Sequence, residues 1–467
     1  MKSKLAHVSL VAVLFAAVCA MVTWAAVPRR TVTETLLRTV GLKRAMGELG
    51  VLVSPDGAHT AWVERAKGGA TVFLDRKAVG THAGVMDPWI DMRFAAIVPG
   101  LVFSNTGGRL AYAIVDGKHV RVVVGGTPGR PYDKVGLPVF SADGKKIAYA
   151  ARIGDRWFVV VDGREGKRYD GISSGLGSPV IFSPDGKVVA YTANIGDKNM
   201  TVVNGRELPP CSRIRDLVFS RDGGHYAFAS SDKGFSVIKD GRPIPGAYRR
   251  FRLSPDGKRI AYYVFKNDGY HLTLDGKSSK PYKTALRDAA FSPDSKRFAF
   301  AATPYNNRYG REMLVVDGKE SKQLYGSVSS ITFSPDSKRL ACCVTLNTVR
   351  RVLVDGRIVS ISGLPRTPVF SPDSKRLAFM IGSSIALDGK QVGKPGYYYS
   401  GPPVFSPDSR HVLCAARRDN GESISIDGIP GRSYDVILES AVFFDAPNRF
   451  HYFARRGGNV YRVDEKM

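Results

Sequence analysis

Between Ser54 and Phe444 one short phrase recurs eleven times. Its clearest copies read Phe182-Ser183-Pro184-Asp185-Gly186-Lys187, Phe291-Ser292-Pro293-Asp294-Ser295-Lys296 and Phe370-Ser371-Pro372-Asp373-Ser374-Lys375. The serine falls at 54, 104, 141, 183, 220, 254, 292, 334, 371 and 406, and Phe444 holds the eleventh, decayed place. Spacings run from 34 residues (Ser220 to Ser254) to 50 (Ser54 to Ser104). A period of that size marks an array of supersecondary units.

Residues 179–211 show what one unit contains. Pro179-Val180-Ile181-Phe182 is a short apolar run ending in Ser-Pro-Asp-Gly, where Pro presets φ and Gly accepts φ > 0. Val188 to Thr192 follows, rich in β-branched and aromatic residues, then a polar loop. Met200 to Val203 runs into Asn204-Gly205, a strong hairpin signal, before a brief last strand. The same hairpin pair recurs as Asp162-Gly163, Asp240-Gly241, Asp275-Gly276, Asp317-Gly318, Asp355-Gly356, Asp388-Gly389 and Asp427-Gly428. Each unit therefore reads as four antiparallel strands, and such units must stack to bury their faces. Radial stacking gives an all-β propeller of about eleven four-stranded repeats. The residue eight after the repeat serine (Trp62, Tyr112, Tyr149, Tyr191, Phe228, Tyr262, Phe300, Cys342, Phe379, Cys414, Tyr452) is assigned to the core between units.

The stretch Leu253-Ser254-Pro255-Asp256-Gly257-Lys258-Arg259-Ile260-Ala261-Tyr262 resembles the TolB-type β-propeller repeat, a WD-repeat-like module of bacterial envelope proteins. The resemblance covers about residues 50–467. It implies a propeller in the cell envelope, in a family that includes binding scaffolds and propellers attached to enzymes. Three copies depart from the pattern: Ser104-Asn105-Thr106-Gly107, Ser141-Ala142 and Phe444-Asp445-Ala446.

Eleven units exceed the four to eight of a usual ring, so two tandem propellers and one large ring both fit. Turns up to Ser254 end in Asp-Gly or a Gly variant, whereas those from Ser292 to Ser406 end in Asp-Ser. That change divides the repeats into a first set, 28–280, and a second, 281–467. The last unit ends at its third strand, Val460 to Asp464, and the stretch from Thr31 to Leu42 is the expected clasp supplying its outer strand.

Residues 1–27 carry Lys2 and Lys4 before an apolar stretch ending among small residues, the pattern of a signal peptide or, uncleaved, a membrane anchor. The expectation is an exported protein, periplasmic or extracellular, touching the membrane only through this segment. A net charge of +26 by itself suggests nucleic acid, but export argues against that partner. Pairs such as Lys258-Arg259, Lys296-Arg297, Lys338-Arg339 and Lys375-Arg376 follow one turn class, and Lys277, Lys319, Arg357 and Lys390 follow the other. The two classes lie at one end of a unit, which predicts a broad basic face suited to anionic envelope polymers or acidic proteins.

The five cysteines show no Cys-x-x-Cys, and no His/Cys cluster has zinc spacing. The eight histidines, at 7, 59, 82, 119, 225, 271, 411 and 451, show no shared spacing. Gly171-Ile172-Ser173-Ser174-Gly175 matches the nucleophile elbow formally, yet a new strand follows it instead of a helix. No catalytic residue, metal ligand or cofactor is assigned.

Binding residues are expected on the loops opposite the turns, where variation on a rigid scaffold concentrates. The candidates are Tyr305, Arg308 and Arg311, then Tyr397, Tyr398 and Tyr399, then Arg417 and Arg418, since Tyr and Arg dominate recognition hot spots. The resulting expectation is an exported, non-enzymatic scaffold binding a protein or an anionic polymer of the envelope. The alternative is an envelope hydrolase or lyase with a composite site in the propeller channel.

Overall fold

The computed structural model describes residues 30–39, 51–85, 100–173, 180–210, 213–231, 235–307, 309–359, 364–419, 421–438 and 442–467. The assignments to residues 1–27 and to Arg308 lie outside them. Among the described residues there is no α-helix, and no helix is long and apolar enough to cross a membrane.

Each repeat is a small antiparallel sheet with its strands in chain order. In unit 8 these are Ser327–Phe333, Leu340–Leu346, Val349–Val354 and Arg357–Ile358, paired Phe333↔Leu340, Ala341↔Val354 and Leu353↔Ile358. Its second strand opens Leu340-Ala-Cys-Cys-Val344 and is buried on both faces, as a strand sandwiched between neighbouring sheets must be. The residue eight after the repeat serine is buried in all eleven units, as expected.

The preceding residue is alanine in nine units and wholly buried there, from Ala61 to Ala378. Large side chains of one sheet thus meet the small face of the sheet before. Cys342 of unit 8 packs with Ala299 and Ala301 of unit 7, while Ala341 packs with Phe370 and Phe379 of unit 9. Interdigitation of this kind brings interiors to close-packed density.

The packing runs through every junction. Separate clusters join units 1 and 2, 2 and 3, 3 and 4, 4 and 5, 5 and 6, 6 and 7, 7 and 8, 8 and 9, 9 and 10 and 10 and 11. Val53 of unit 1 then packs with Phe453 and Val460 of unit 11. The eleven units form one ring. No break accompanies the change of turn residue near 280: Lys277–Phe291 is a single strand, pairing with Gly269–Leu274 of unit 6 and Phe298–Pro304 of unit 7. First strands of neighbours lie against one another, as Ser327–Phe333 does on Pro365–Phe370, whereas fourth strands make no comparable contact among the described residues. First strands therefore line the axis.

The expected clasp is present. Thr31–Thr39 runs antiparallel to Asn459–Lys466, from Thr31↔Lys466 to Thr39↔Asn459. Glu34 fixes it by accepting from both terminal nitrogens of Arg456 (3.1 and 2.8 Å) and from the Tyr434 hydroxyl (2.7 Å). Unit 11 also replaces the small residue of its second strand with His451, whose Nε2 lies 2.8 Å from the Gly57 carbonyl of unit 1. Arg462 reaches the same carbonyl at 3.3 Å, so this joint adds polar contacts to its apolar cluster.

Candidate functional site

The turn end of the ring is built by the repeat phrase itself. Ser254 Oγ donates to Asp256 Oδ1 (2.6 Å) and accepts the Arg259 N–H (2.9 Å), and Asp256 Oδ1 also accepts the Lys258 N–H (3.1 Å). The same bonds recur at Ser292, Ser334 and Ser371. At Asp294, Asp336 and Asp373 the serine hydroxyl, then a backbone N–H, hold the carboxyl below its usual range. All ten serines are buried, so they staple turns and offer no nucleophile.

Where the residue five after the serine is arginine, it ties units together. Arg339 pairs with Asp355 of its own hairpin (3.1 Å), donates to the Ser374 and Lys375 carbonyls of the next unit (3.2 and 2.9 Å), and lies 5.2 Å above the Phe370 ring. Arg259, Arg297 and Arg376 repeat the arrangement. This corrects the expected basic face. Half of its paired bases are clamps facing carboxylates, and the exposed lysines Lys258, Lys296, Lys338 and Lys375 each neighbour a turn aspartate.

A second correction concerns histidine. His59, His225 and His411 occupy the same clamp position, with Nδ1 at 2.6, 2.8 and 2.7 Å from Asp75, Asp240 and Asp427. Unequal unit lengths hide that equivalence in a plain residue count. Counting from the repeat serine would have found it.

The opposite end carries the loops between second and third strands, and here the described candidates fall into two patches. In the first, Tyr305 is 51% exposed and its ring lies against Gly269 of the neighbouring unit, while Tyr309 is 90% exposed. Arg311 is exposed nearby. The sequence reading missed Phe265, 61% exposed and 5.0 Å from the Tyr270 ring in the same neighbouring loop. Its signal was position, since Ile153 and Ile195 also stand exposed at the ends of second strands. In the second patch Tyr398 is 65% exposed and pairs in register with Arg417. The Arg418 guanidinium lies 5.6 Å over the half-buried Tyr397 ring. Tyr399 is a correction: it is buried, accepts the Lys394 N–H and donates to the Gly428 carbonyl, both at 2.7 Å, so it holds units together instead of meeting a ligand.

Ser173 of the elbow-like sequence ends a strand paired with the second strand of its unit, Ser173↔Thr192. Asp445, His451 and Asp464 gather their ligand atoms within 4.8 Å, but Arg462 pairs with Asp464 (3.0 Å) and Asp445 (3.7 Å). A guanidinium thus already supplies the positive charge there.

Comparison with known proteins bears on the fold. The family described as WD domain, G-beta repeat matches residues 318–350, which span the outer strand of unit 7 and the first two strands of unit 8. The chain is a β-propeller, and this stretch of it is similar to a WD repeat. Solved structures similar to this propeller include a eukaryotic initiation factor, 14% identical over 86% of this chain and 97% of that one, with TM-score 0.37. The β-propeller domain of Myceliophteria thermophila Cps50 (Swd1) is 14% identical over 61% and 94%, with TM-score 0.27. Kuenenia stuttgartiensis hydrazine synthase is 15% identical over 72% and 94%, with TM-score 0.24. No curated protein matches the propeller.

Proposed function

We propose that this propeller is an exported, non-enzymatic scaffold, similar to TolB-type envelope propellers, that holds a protein partner on its loop end. One observation carries the reading. Exposed aromatics of neighbouring units 6 and 7 meet there, Phe265 beside Tyr270 and Tyr305 against Gly269, with Tyr309 in the same loop as Tyr305, and Ile153, Ile195, Val349 and Tyr398 stand exposed at the same end of their own units. Adjacent exposed aromatics on a rigid scaffold suit a protein-binding surface. Arg311, Arg417 and Arg418 add the cationic partners that accompany aromatic anchors in hot spots. A protein fits better than an anionic polymer, because carboxylates accompany the bases of the turn end.

The test is capture from the native envelope fraction with two variants. One changes Phe265, Tyr305 and Tyr398 to Ser; the other changes Lys258, Lys296, Lys338 and Lys375 to Glu. The same protein species should be retained by the wild type and the lysine variant and lost by the aromatic one. Loss in the lysine variant alone, fading between 0.01 and 0.15 M salt as the Debye length shrinks from about 30 to about 8 Å, would transfer the site to the turn end and favour the polymer.

A further inference from the structure

The turn end carries a second set of bases that the clamps do not use. Directly after the hairpin glycine stand Arg164, Arg206, Arg242, Lys277, Lys319, Arg357 and Lys390, one in each of units 3 to 9. Each lies opposite the last residue of its unit's third strand, from Val161↔Arg164 to Leu387↔Lys390. Equivalent places in consecutive units of a closed ring fall on one rim.

All seven are exposed, and none makes an ion pair or a side-chain hydrogen bond among the described residues. The carboxylates nearest in sequence are committed elsewhere. Asp275, Asp317, Asp355 and Asp388 of the hairpins face the arginine clamps, and Asp240 faces His225 and Lys239. Glu165, Glu207 and Glu320 each follow a rim base, yet they pair with Arg130, Lys167 and Lys280 of the preceding unit. The clamps thus neutralise the inner bases of this end and leave the rim positive.

The start of the chain leaves the ring at the same end. The third strand of unit 11 runs from the loop at Gly457 to Lys466, so it finishes at the turn end, where Thr31 of the clasp pairs with it. Arg30 marks the place by donating to the carbonyl of Ile429, the residue after unit 10's hairpin glycine (2.5 Å). The apolar segment of residues 1–27 ends three residues earlier in the sequence. Three residues span at most about 10 Å, so a bilayer that held this segment would lie against the turn end.

We propose that the turn-end rim rests on an anionic lipid surface, with these seven bases among its headgroups and the loop end directed away from it. The place where the N-terminal segment emerges favours lipid over a soluble polyanion. Each base near an anionic surface strengthens attachment by about fivefold. The orientation leaves the loop end open to a protein partner, but it rests on other residues and does not depend on that reading.

The full chain is offered two vesicle populations together, one of phosphatidylcholine and one of equal parts phosphatidylcholine and phosphatidylglycerol. Flotation measures its distribution between them. Residues 1–27 are the same in wild type and variants, so any change in the ratio reads the ring alone. The wild type should favour the anionic vesicles, and changing Lys277, Lys319, Arg357 and Lys390 to Gln should lower that preference by about tenfold or more. Changing Lys67, Lys118, Lys198 and Lys266 of the loop end to Gln removes the same charge. Those lysines stand a strand's length away, beyond the Debye length of about 8 Å at 0.15 M salt, and their loss should leave the preference within about twofold. The rim variant should keep the wild-type unfolding midpoint, since its bases pair with nothing in the ring, and should still capture the loop-end partner. Equal distribution of the wild type between the vesicles, or equal loss in the two variants, overturns the proposal. Tighter binding to soluble polyphosphate than to the anionic vesicles at equal phosphate also overturns it, by assigning the rim to a polymer.

Discussion

The hydroxyl of Ser295 accepts a hydrogen bond at 3.0 Å from the backbone N–H of Asp256, one unit earlier in the ring. Ser337, Ser374 and Ser409 do the same for Asp294, Asp336 and Asp373. All four serines stand at φ near 65°, where glycine occupies the turns of the first six units. The change from Asp-Gly to Asp-Ser thus exchanges backbone ease for a bond between units. Where glycine remains there is no room for the exchange: a Cβ on Gly257 would run into His225, and one on Gly223 into the Asp185 carboxylate.

Ser295→Ala should therefore be worse than Ser295→Gly. Alanine keeps the left-handed strain and leaves the Asp256 N–H without its acceptor, a loss of about 1–2 kcal/mol. Glycine loses the same bond but relieves about 1 kcal/mol of strain, so its effect should be small. Gly257→Val combines strain with collision and should cost about 1–3 kcal/mol. Urea unfolding of the three variants checks the order, and equal loss for Ala and Gly would refute the strain argument.

The Arg clamp makes a distinct claim. Arg339→Lys keeps the charge but cannot reach Asp355 and two carbonyls of the next unit while lying flat on Phe370. A loss of about 1–2 kcal/mol is expected, whereas Lys338→Gln, in the exposed neighbouring position, should stay within about 0.5 kcal/mol. Equivalence of the two in thermal unfolding would mean that only charge matters.

The repeat phrase was enough to place the turns, the strand order, the buried aromatic slot and the clasp, because each rests on local chemistry repeated many times. Contacts between units were not visible that way. Arg259 in the sequence looks like one more surface base, and only the approach of Ser295 and Lys296 reveals it as a clamp. Tyr399 is indistinguishable from Tyr398 until strand alternation turns one ring inward and the other out.

Closure of the ring should respond to acid through Glu34. Burial alone would raise its carboxyl, but the Tyr434 hydroxyl and Arg456 outweigh that and hold it below the usual glutamate range. A depressed folded value contributes stability that is complete above the unfolded value of about 4.3 and is lost as pH falls through the folded one. Glu34→Gln should cost about 2 kcal/mol at pH 7, and its difference from the wild type should shrink steadily towards pH 3. Glu465 works oppositely: burial raises it, so its charge becomes a burden as pH rises through the folded value. A pH-independent gap for Glu34→Gln in denaturant titrations would show that the clasp does not depend on this carboxylate's charge.

Adjacent tyrosines give the sharpest separation of packing from recognition. Tyr399→Phe removes the hydroxyl that bridges Lys394 and Gly428, leaving a buried carbonyl and N–H unpaired. It should lower stability by about 1–3 kcal/mol and leave partner affinity intact once the protein is folded. Tyr398 is mostly exposed and its loss leaves no buried group without a partner. Tyr398→Ala should leave the unfolding midpoint nearly unchanged and weaken the captured partner by about 2 kcal/mol, the scale of a hot-spot aromatic. Calorimetry with the captured partner, beside thermal unfolding of both variants, reads the two effects separately. If Tyr398→Ala binds as the wild type does, the second aromatic patch is surface only, and the partner must rest on Phe265, Tyr305 and Tyr309.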